Sequence, residues 1–192
     1  LQKKFGNQLD DLANEYIDNA FNNAKRMKCL ISEILDFSKT GKIGHEEVNL
    51  NGLLDSIMNS YQHGGKLESA DFSKSSLPTV KGDPGSLIQL FTNLIDNALK
   101  YQPINNRAQI KIDAMEEENV WVLGVSDNGI GIHPDFSDKV FEIFRRLHNS
   151  KEYNGSGIGL ATCKKIVTAH GGKIWYEPNN PKGTIFKFTL PK

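Results

Sequence analysis

The sequence predicts a mixed α/β domain, a sheet packed on helices, preceded by one long helix. Three observations carry this. Between residues 10 and 40, apolar side chains recur at alternating spacings of three and four, the period of a helix face. From residue 46 onward, short runs of high β-propensity alternate with helical patterns. Residues 128–156, rich in Gly, Asp, His, Asn and Ser, form a stretch too long for a plain connection in a compact domain, so a functional loop is expected there.

With 192 residues, the chain can build one well-buried domain and an accessory element. Its 23 basic and 23 acidic residues leave no net field, which argues against nucleic acid or a membrane surface as partner. Cys29 and Cys163 have neither paired nor metal-ligand spacing, so a reducing, cytoplasmic setting is expected. No apolar run approaches the ~18 residues of a membrane span, and no signal peptide is present. The first residue lies inside a polar, helix-like stretch. The chain therefore reads as part of a longer protein, which could be membrane-anchored elsewhere.

In order along the chain, Ile17, Ala20, Ala24, Met27, Ile31 and Ile34 define the stripe of the first helix, which Gly41 ends. A helix of some 30 residues with such a stripe is expected to pair with another helix, from its own chain or from a second copy. Glu46–Leu50 reads as a short strand and Asn51–Gln62 as a helix. Residues 70–74 and 77–83 read as a hairpin leading into a further helix. Residues 108–115 and 120–127 read as strands around the acidic turn 116–119. Within 128–156 only Val140–Leu147 is locally helical, and the loop is expected to order as a lid, most of all over His148–Ser156. Leu160–Ala169 reads as a helix, and residues 173–178 and 184–191 as the closing strands.

The helix after the expected hairpin carries two asparagines four residues apart, although asparagine is roughly 0.6 kcal/mol worse than alanine in a helix. Ser86, Gln89, Asn93, Asp96, Asn97 and Lys100 fall within an arc of about 100°, opposite Leu87, Leu90, Phe91, Leu94, Ile95 and Ala98. Alone, this is either a solvated stripe or the wall of a cleft. Asp127-Asn-Gly-Ile-Gly-Ile132 follows a strand directly; a carboxylate there can accept from an exocyclic amine, though such a motif alone is more often a turn. Gly155-Ser-Gly-Ile-Gly159 leads straight into a helix, offering N–H groups and a positive dipole end to phosphate. It is neither a Walker A loop nor a dinucleotide fingerprint, and it could be a packing turn. Phe141-Glu-Ile-Phe-Arg-Arg146 sets two aromatics beside two arginines and could equally be a small buried helix.

In this order, the four segments resemble the N, F and two G boxes of the histidine kinases of two-component signalling, within the GHKL superfamily. The resemblance covers about residues 46–192. Residues 15–39 look like the second helix of the dimerisation and phosphoacceptor domain, and their wording is similar to the bacteriophytochrome-like subgroup. It implies a Bergerat-type ATP-binding sandwich at residues 44–192, with part of a helical hairpin at 1–43. It further implies ATP and Mg2+ as cofactors, Asn97 as the magnesium ligand, and Asn93, Lys100 and Arg145 as the catalytic set. Asp127 would hold the adenine amine, supported by Thr184, with Gly129, Gly131 and Ile132 beside the base. Tyr101, Phe144, Gly155, Ser156, Gly157, Ile158, Gly159 and Leu160 would complete the nucleotide site. The partners implied are a second copy through the long helix and a response-regulator receiver domain.

Hydrolytic members of the superfamily carry a glutamate base four residues before the magnesium asparagine. Here that place is Asn93, an amide that cannot activate water, so phosphoryl transfer is favoured over hydrolysis. None of the five histidines (His45, His63, His133, His148 and His170) sits in a phosphoacceptor context. His45 reads as a surface residue, His170 as a helix C-cap beside glycines, and the acceptor is expected before residue 1. Two rivals remain: a serine kinase or ATPase of the same superfamily, and a nucleotide-sensing pseudokinase scaffold.

Overall fold

The computed structural model describes residues 10–39, 44, 46–68, 70–133, 136, 139–145 and 156–192. The chain divides into two compact units, Leu1–Lys39 and Thr40–Lys192. The first contains helix α1, Asp11–Lys39. Asp10 opens it by accepting the Ala13 N–H at 2.7 Å, as an N-cap does. Leu12, Tyr16, Phe21, Met27, Ile31 and Leu35 are all more than half exposed on this helix.

The second unit runs β1 (Glu46–Asn49), α2 (Leu50–His63), β2 (Ala70–Lys74), β3 (Thr79–Gly82), α3 (Pro84–Lys100), β4 (Ala108–Glu116), β5 (Val120–Asp127), α4 (Gly159–Ala169), β6 (Ile174–Pro178) and β7 (Thr184–Pro191). Five strands form a mixed sheet in the order β2-β4-β5-β7-β6. β2 runs parallel to β4, and the other pairs are antiparallel. Helices pack on it through a core that includes Leu54, Leu90, Phe91, Ile112, Leu123 and Phe188, all fully buried. Phe91 of α3 meets Phe188 of β7 edge-on, with ring centroids 5.7 Å apart.

The expected hairpin of 70–74 with 77–83 does not form. β3 pairs with β1 in a separate two-stranded ladder, and β2 joins the main sheet. Side-chain chemistry decides this. The Asn51 amide donates to the Leu77 carbonyl at 2.7 Å and accepts the Leu77 N–H at 3.2 Å. Ser75 donates its N–H to Ile112 O at 2.9 Å. The segment between the strands therefore finds partners on α2 and β4, and the chain crosses over instead of turning back.

A second correction concerns Val140–Leu147. Residues 139–145 form turns, not a helix. Phe144 has φ +63°, outside the helical region, and its N–H donates to Gly157 O at 3.0 Å. Of the expected lid, residues 134–135, 137–138 and 146–155 lie outside the described residues, Gly155 of the glycine turn and His148 among them, and so does His45.

Candidate functional site

The α3 helix starts at an Asp83 cap, whose carboxylate accepts the Ser86 N–H at 2.6 Å, with Pro84 in the first turn. Its buried residues are Leu87, Leu90, Phe91, Leu94, Ile95 and Ala98, the arc expected from the helical period. The opposite face is not a solvated stripe. Ser86, Gln89, Asn93, Asp96, Asn97 and Lys100 are all half-buried, whereas apolar Ile88 is exposed. A polar face of this kind is partly covered by neighbouring segments.

Asn93 reaches the next helix, its Nδ2 donating at 3.3 Å to the carbonyl of Gly159, the first residue of α4. α4 is 11 residues long, so a full set of N-terminal N–H groups and the positive dipole end stand at this edge. Ser156 Oγ accepts the Ile158 N–H at 3.3 Å, while Ile158 is buried and Leu160 packs against the core. Gly157 has φ +78°, and a Cβ there would approach Arg145 O at 2.7 Å and Phe144 C at 2.9 Å. Both features require glycine. Phe144 and Arg145 thus reach the glycine turn through their backbones, and their side chains stay exposed.

Asp127 ends β5 and is only 8 % exposed. Its Oδ1 accepts the Gly129 N–H at 2.8 Å and the Thr184 N–H at 3.2 Å. Burial pushes its carboxyl up to about 6, against those two donors, which pull it down. The following turn is stitched to the end of α3, because Ile130 donates to Tyr101 O at 3.0 Å. Gly129 packs so tightly on that same carbonyl that any Cβ would collide with it. Gly131 has φ +77°, and Ile132 packs against the core. Lys100 Nζ donates to Tyr101 Oη at 3.1 Å and lies 4.5 Å from the centre of its ring.

Hydrogen bonds therefore join three pieces into one frame: the Asp127 turn, the polar face of α3 and the first residue of α4. The frame offers an acceptor carboxylate at one place and helix N–H groups at another. It also offers the amide of Asn97, whose side chain has no hydrogen-bond partner among the described residues. Such a set suits a ligand with an amine at one end and anionic oxygens at the other.

Three further residues shape the site through long-range hydrogen bonds that the sequence does not predict for them. The Asn128 side chain accepts the Gln109 N–H at 2.8 Å and donates to Arg107 O at 3.0 Å, continuing the β4–β5 ladder by one rung. Asn179 donates to the Asp127 carbonyl at 2.8 Å. His170, expected as a C-cap, has Nδ1 2.8 Å from Ile166 O within its helix. Its Nε2 accepts the Asp83 N–H at 3.1 Å, so it also links the end of α4 to the start of α3. All three act across gaps of 19 to 87 residues, and only the turn-like wording around them is visible locally.

Residues 82–192 match the family model of the histidine kinase-, DNA gyrase B- and HSP90-like ATPases. The chain belongs to this family. Within it, the domain is of the histidine-kinase type, an ATP-binding catalytic domain. Cyanobacterial phytochrome A of Nostoc sp. is 40% identical over 193 residues, which is 100% of this chain and 25% of the relative. The sensor histidine kinase WalK of Bacillus subtilis is 32% identical over 191 residues, 94% of this chain and 31% of WalK. The chain thus spans about a quarter to a third of these relatives. A crystal structure of the histidine kinase ThkA in complex with the response regulator protein TrrA superposes with a TM-score of 0.73 at 26% identity. That match covers 99% of this chain and 55% of ThkA.

Proposed function

We propose that residues 44–192 bind Mg·ATP and transfer its γ-phosphoryl to a histidine that is not among the five of this chain. From there the phosphoryl would pass to an aspartate of a response-regulator receiver domain. The observation that carries this reading is the hydrogen-bonded frame of the Asp127 turn, the α3 polar face and the α4 N-terminus. In it, the Asp127 carboxylate accepts from the adenine amine, with Thr184 and Gly129 orienting it. The glycine turn and the first N–H groups of α4 receive phosphate oxygens. Lys100 and Arg145 neutralise charge that the transfer moves.

Among the described residues, no three His, Cys, Asp or Glu side chains gather as a metal cluster. The donor set fits a hard cation held by one neutral amide oxygen, that of Asn97, and otherwise by phosphate and water. Magnesium, when bound, supplies charge neutralisation across the triphosphate. Asn93 occupies the place where a hydrolytic relative has its base, and its amide is engaged with Gly159 O. It holds α3 and α4 together and has no basic site with which to activate water, which favours transfer over hydrolysis. Residues 1–43 would belong to a dimerisation and phosphoacceptor hairpin, and the protein's setting would be cytoplasmic.

Calorimetry with ATP, with and without Mg2+, tests the assignment. Asn97→Ala, on a polar face outside the core, should keep the fold and lose the magnesium-dependent part of ATP affinity. Intact magnesium-dependent binding in the folded variant would sink the metal assignment.

A further inference from the structure

The hairpin between β6 and β7 reaches back to Asp127. Asn179 Nδ2 donates to the Asp127 main-chain carbonyl at 2.8 Å, across 52 residues of sequence. The other half of the same amide is engaged too, because Oδ1 accepts the Asn180 N–H at 2.9 Å. The Asn179 N–H itself donates to Gly183 O at 3.1 Å, closing the hairpin. With donor and acceptor both committed, the amide has one orientation. Thr184, the next residue after Gly183, gives its N–H to Asp127 Oδ1 at 3.2 Å, and Gly129 gives its own at 2.8 Å. Asp127 is therefore held at two points, its carbonyl by Asn179 and one carboxylate oxygen by Gly129 and Thr184. The second oxygen, Oδ2, has no protein donor among the described residues.

We infer that Asn179 is a positioning residue for purine selectivity. By fixing the Asp127 main chain, it fixes the direction in which Oδ2 meets an exocyclic amine. This rests on the nucleotide reading above and adds to it the residue that sets adenine against guanine. A hydrogen bond between purine and carboxylate is directional, and a supporting shell that lets the acceptor drift loses much of its worth. Guanine presents a carbonyl at that position and gains nothing from a well-aimed carboxylate. Asn179 is neutral, so its effect on Asp127 is one of aim, not of charge. The triphosphate end of the site, at α4, does not depend on it.

The test measures ATP, GTP and inorganic tripolyphosphate binding to residues 1–192 by calorimetry, for the unmodified chain, Asp127→Asn and Asn179→Ala. Asn179→Ala should weaken ATP about tenfold, the scale of one misaligned hydrogen bond. GTP and tripolyphosphate should stay within about twofold, so the ATP:GTP ratio collapses. A merely structural hairpin residue would lower the melting temperature and weaken all three ligands together. That result, or an unchanged ratio in the folded variant, overturns the inference. If Asn179→Ala does not fold, the side-chain amide resonances of Asn179 in the unmodified chain decide. They should shift on adding ADP and stay put on adding tripolyphosphate; no shift with ADP overturns the inference. An unmodified chain without ATP preference overturns the nucleotide reading and this inference with it. A preference abolished by Asp127→Asn but untouched by Asn179→Ala overturns this inference alone.

Discussion

Asp127 meets opposing demands. Its Oδ1 accepts two backbone N–H groups, which favour the ionised form, yet burial outweighs them and lifts the carboxyl to about 6. The folded state therefore holds this proton more tightly than the unfolded chain does. Below about pH 4 both states are protonated and folding carries no penalty. As the pH rises toward 6 and beyond, the folded chain must ionise a buried group, so stability is lost on the way up. The penalty at neutral pH is at most about 3 kcal/mol. Asp127→Asn keeps an oxygen for Gly129 and Thr184 and never ionises. It should be more stable than the unmodified chain at pH 7.5 by roughly 1–3 kcal/mol, with the gap closing near pH 4. Urea denaturation across that range checks this, and a pH-independent gap would count against it. The same variant should weaken ATP by roughly 1.5–3 kcal/mol, the scale of a hydrogen bond to a charged group. Stability and nucleotide recognition would then pull against each other at one residue.

The α3 helix was the most legible element. A 3.6-residue period sorts its side chains into two faces, and the buried set follows that sorting residue by residue. What period could not say is that its polar face is half-buried, with Asn93 bonded to α4 and Asp96 paired with Lys66. The hairpin expected at 70–83 failed for a related reason. Local β-propensity identifies strands, but pairing was decided by the Asn51 side chain on α2 and by the Ile112 carbonyl on β4. The α4 helix shows the same dependence at its far end, where His170 accepts the Asp83 N–H. Gly82 fits tightly there: a Cβ on it would sit 2.8 Å from the imidazole Nε2. His170→Phe keeps a ring but leaves the Asp83 N–H without its acceptor. It should cost about 1–3 kcal/mol in urea denaturation, while ATP affinity of the folded variant stays within about twofold. A large loss of affinity at unchanged stability would mean that His170 serves the site directly.

At the scale of the whole chain, the α1 helix exposes large apolar side chains along its length. Tyr16, Phe21, Met27 and Ile31 are exposed by 58–67 % on one helix of 29 residues. Exposed apolar side chains on a helix of this length fit a helical partner, and a second copy of the chain is the simplest. Sedimentation should show concentration-dependent dimers, and the double change Met27→Glu with Ile31→Glu should leave monomers that still bind ATP. Monomers at all concentrations in the unmodified chain would remove the dimer from the proposal. Incubated with labelled ATP, residues 1–192 should acquire no acid-labile phosphohistidine and should release little phosphate. Self-labelling that disappears on changing one of the five histidines would mean that the acceptor lies within this chain.

The sequence by itself determined the long helix, the alternation of strands and helices, the buried arc of α3, and the order of the four segments proposed to form the site. Each of these is local: a period, a turn residue or a glycine spacing is written in neighbouring positions, and neighbouring side chains enforce it. Only the tertiary structure decided which strands pair and that residues 139–145 turn back onto Gly157. It also decided that Asp127 is buried enough to hold its proton to about pH 6, and that Asn179, Asn128 and His170 support the frame. Those features come from hydrogen bonds and desolvation between separate segments of the chain, such as Phe144 with Gly157 and Asp83 with His170. No window of sequence contains both partners, so only the folded chain can choose them.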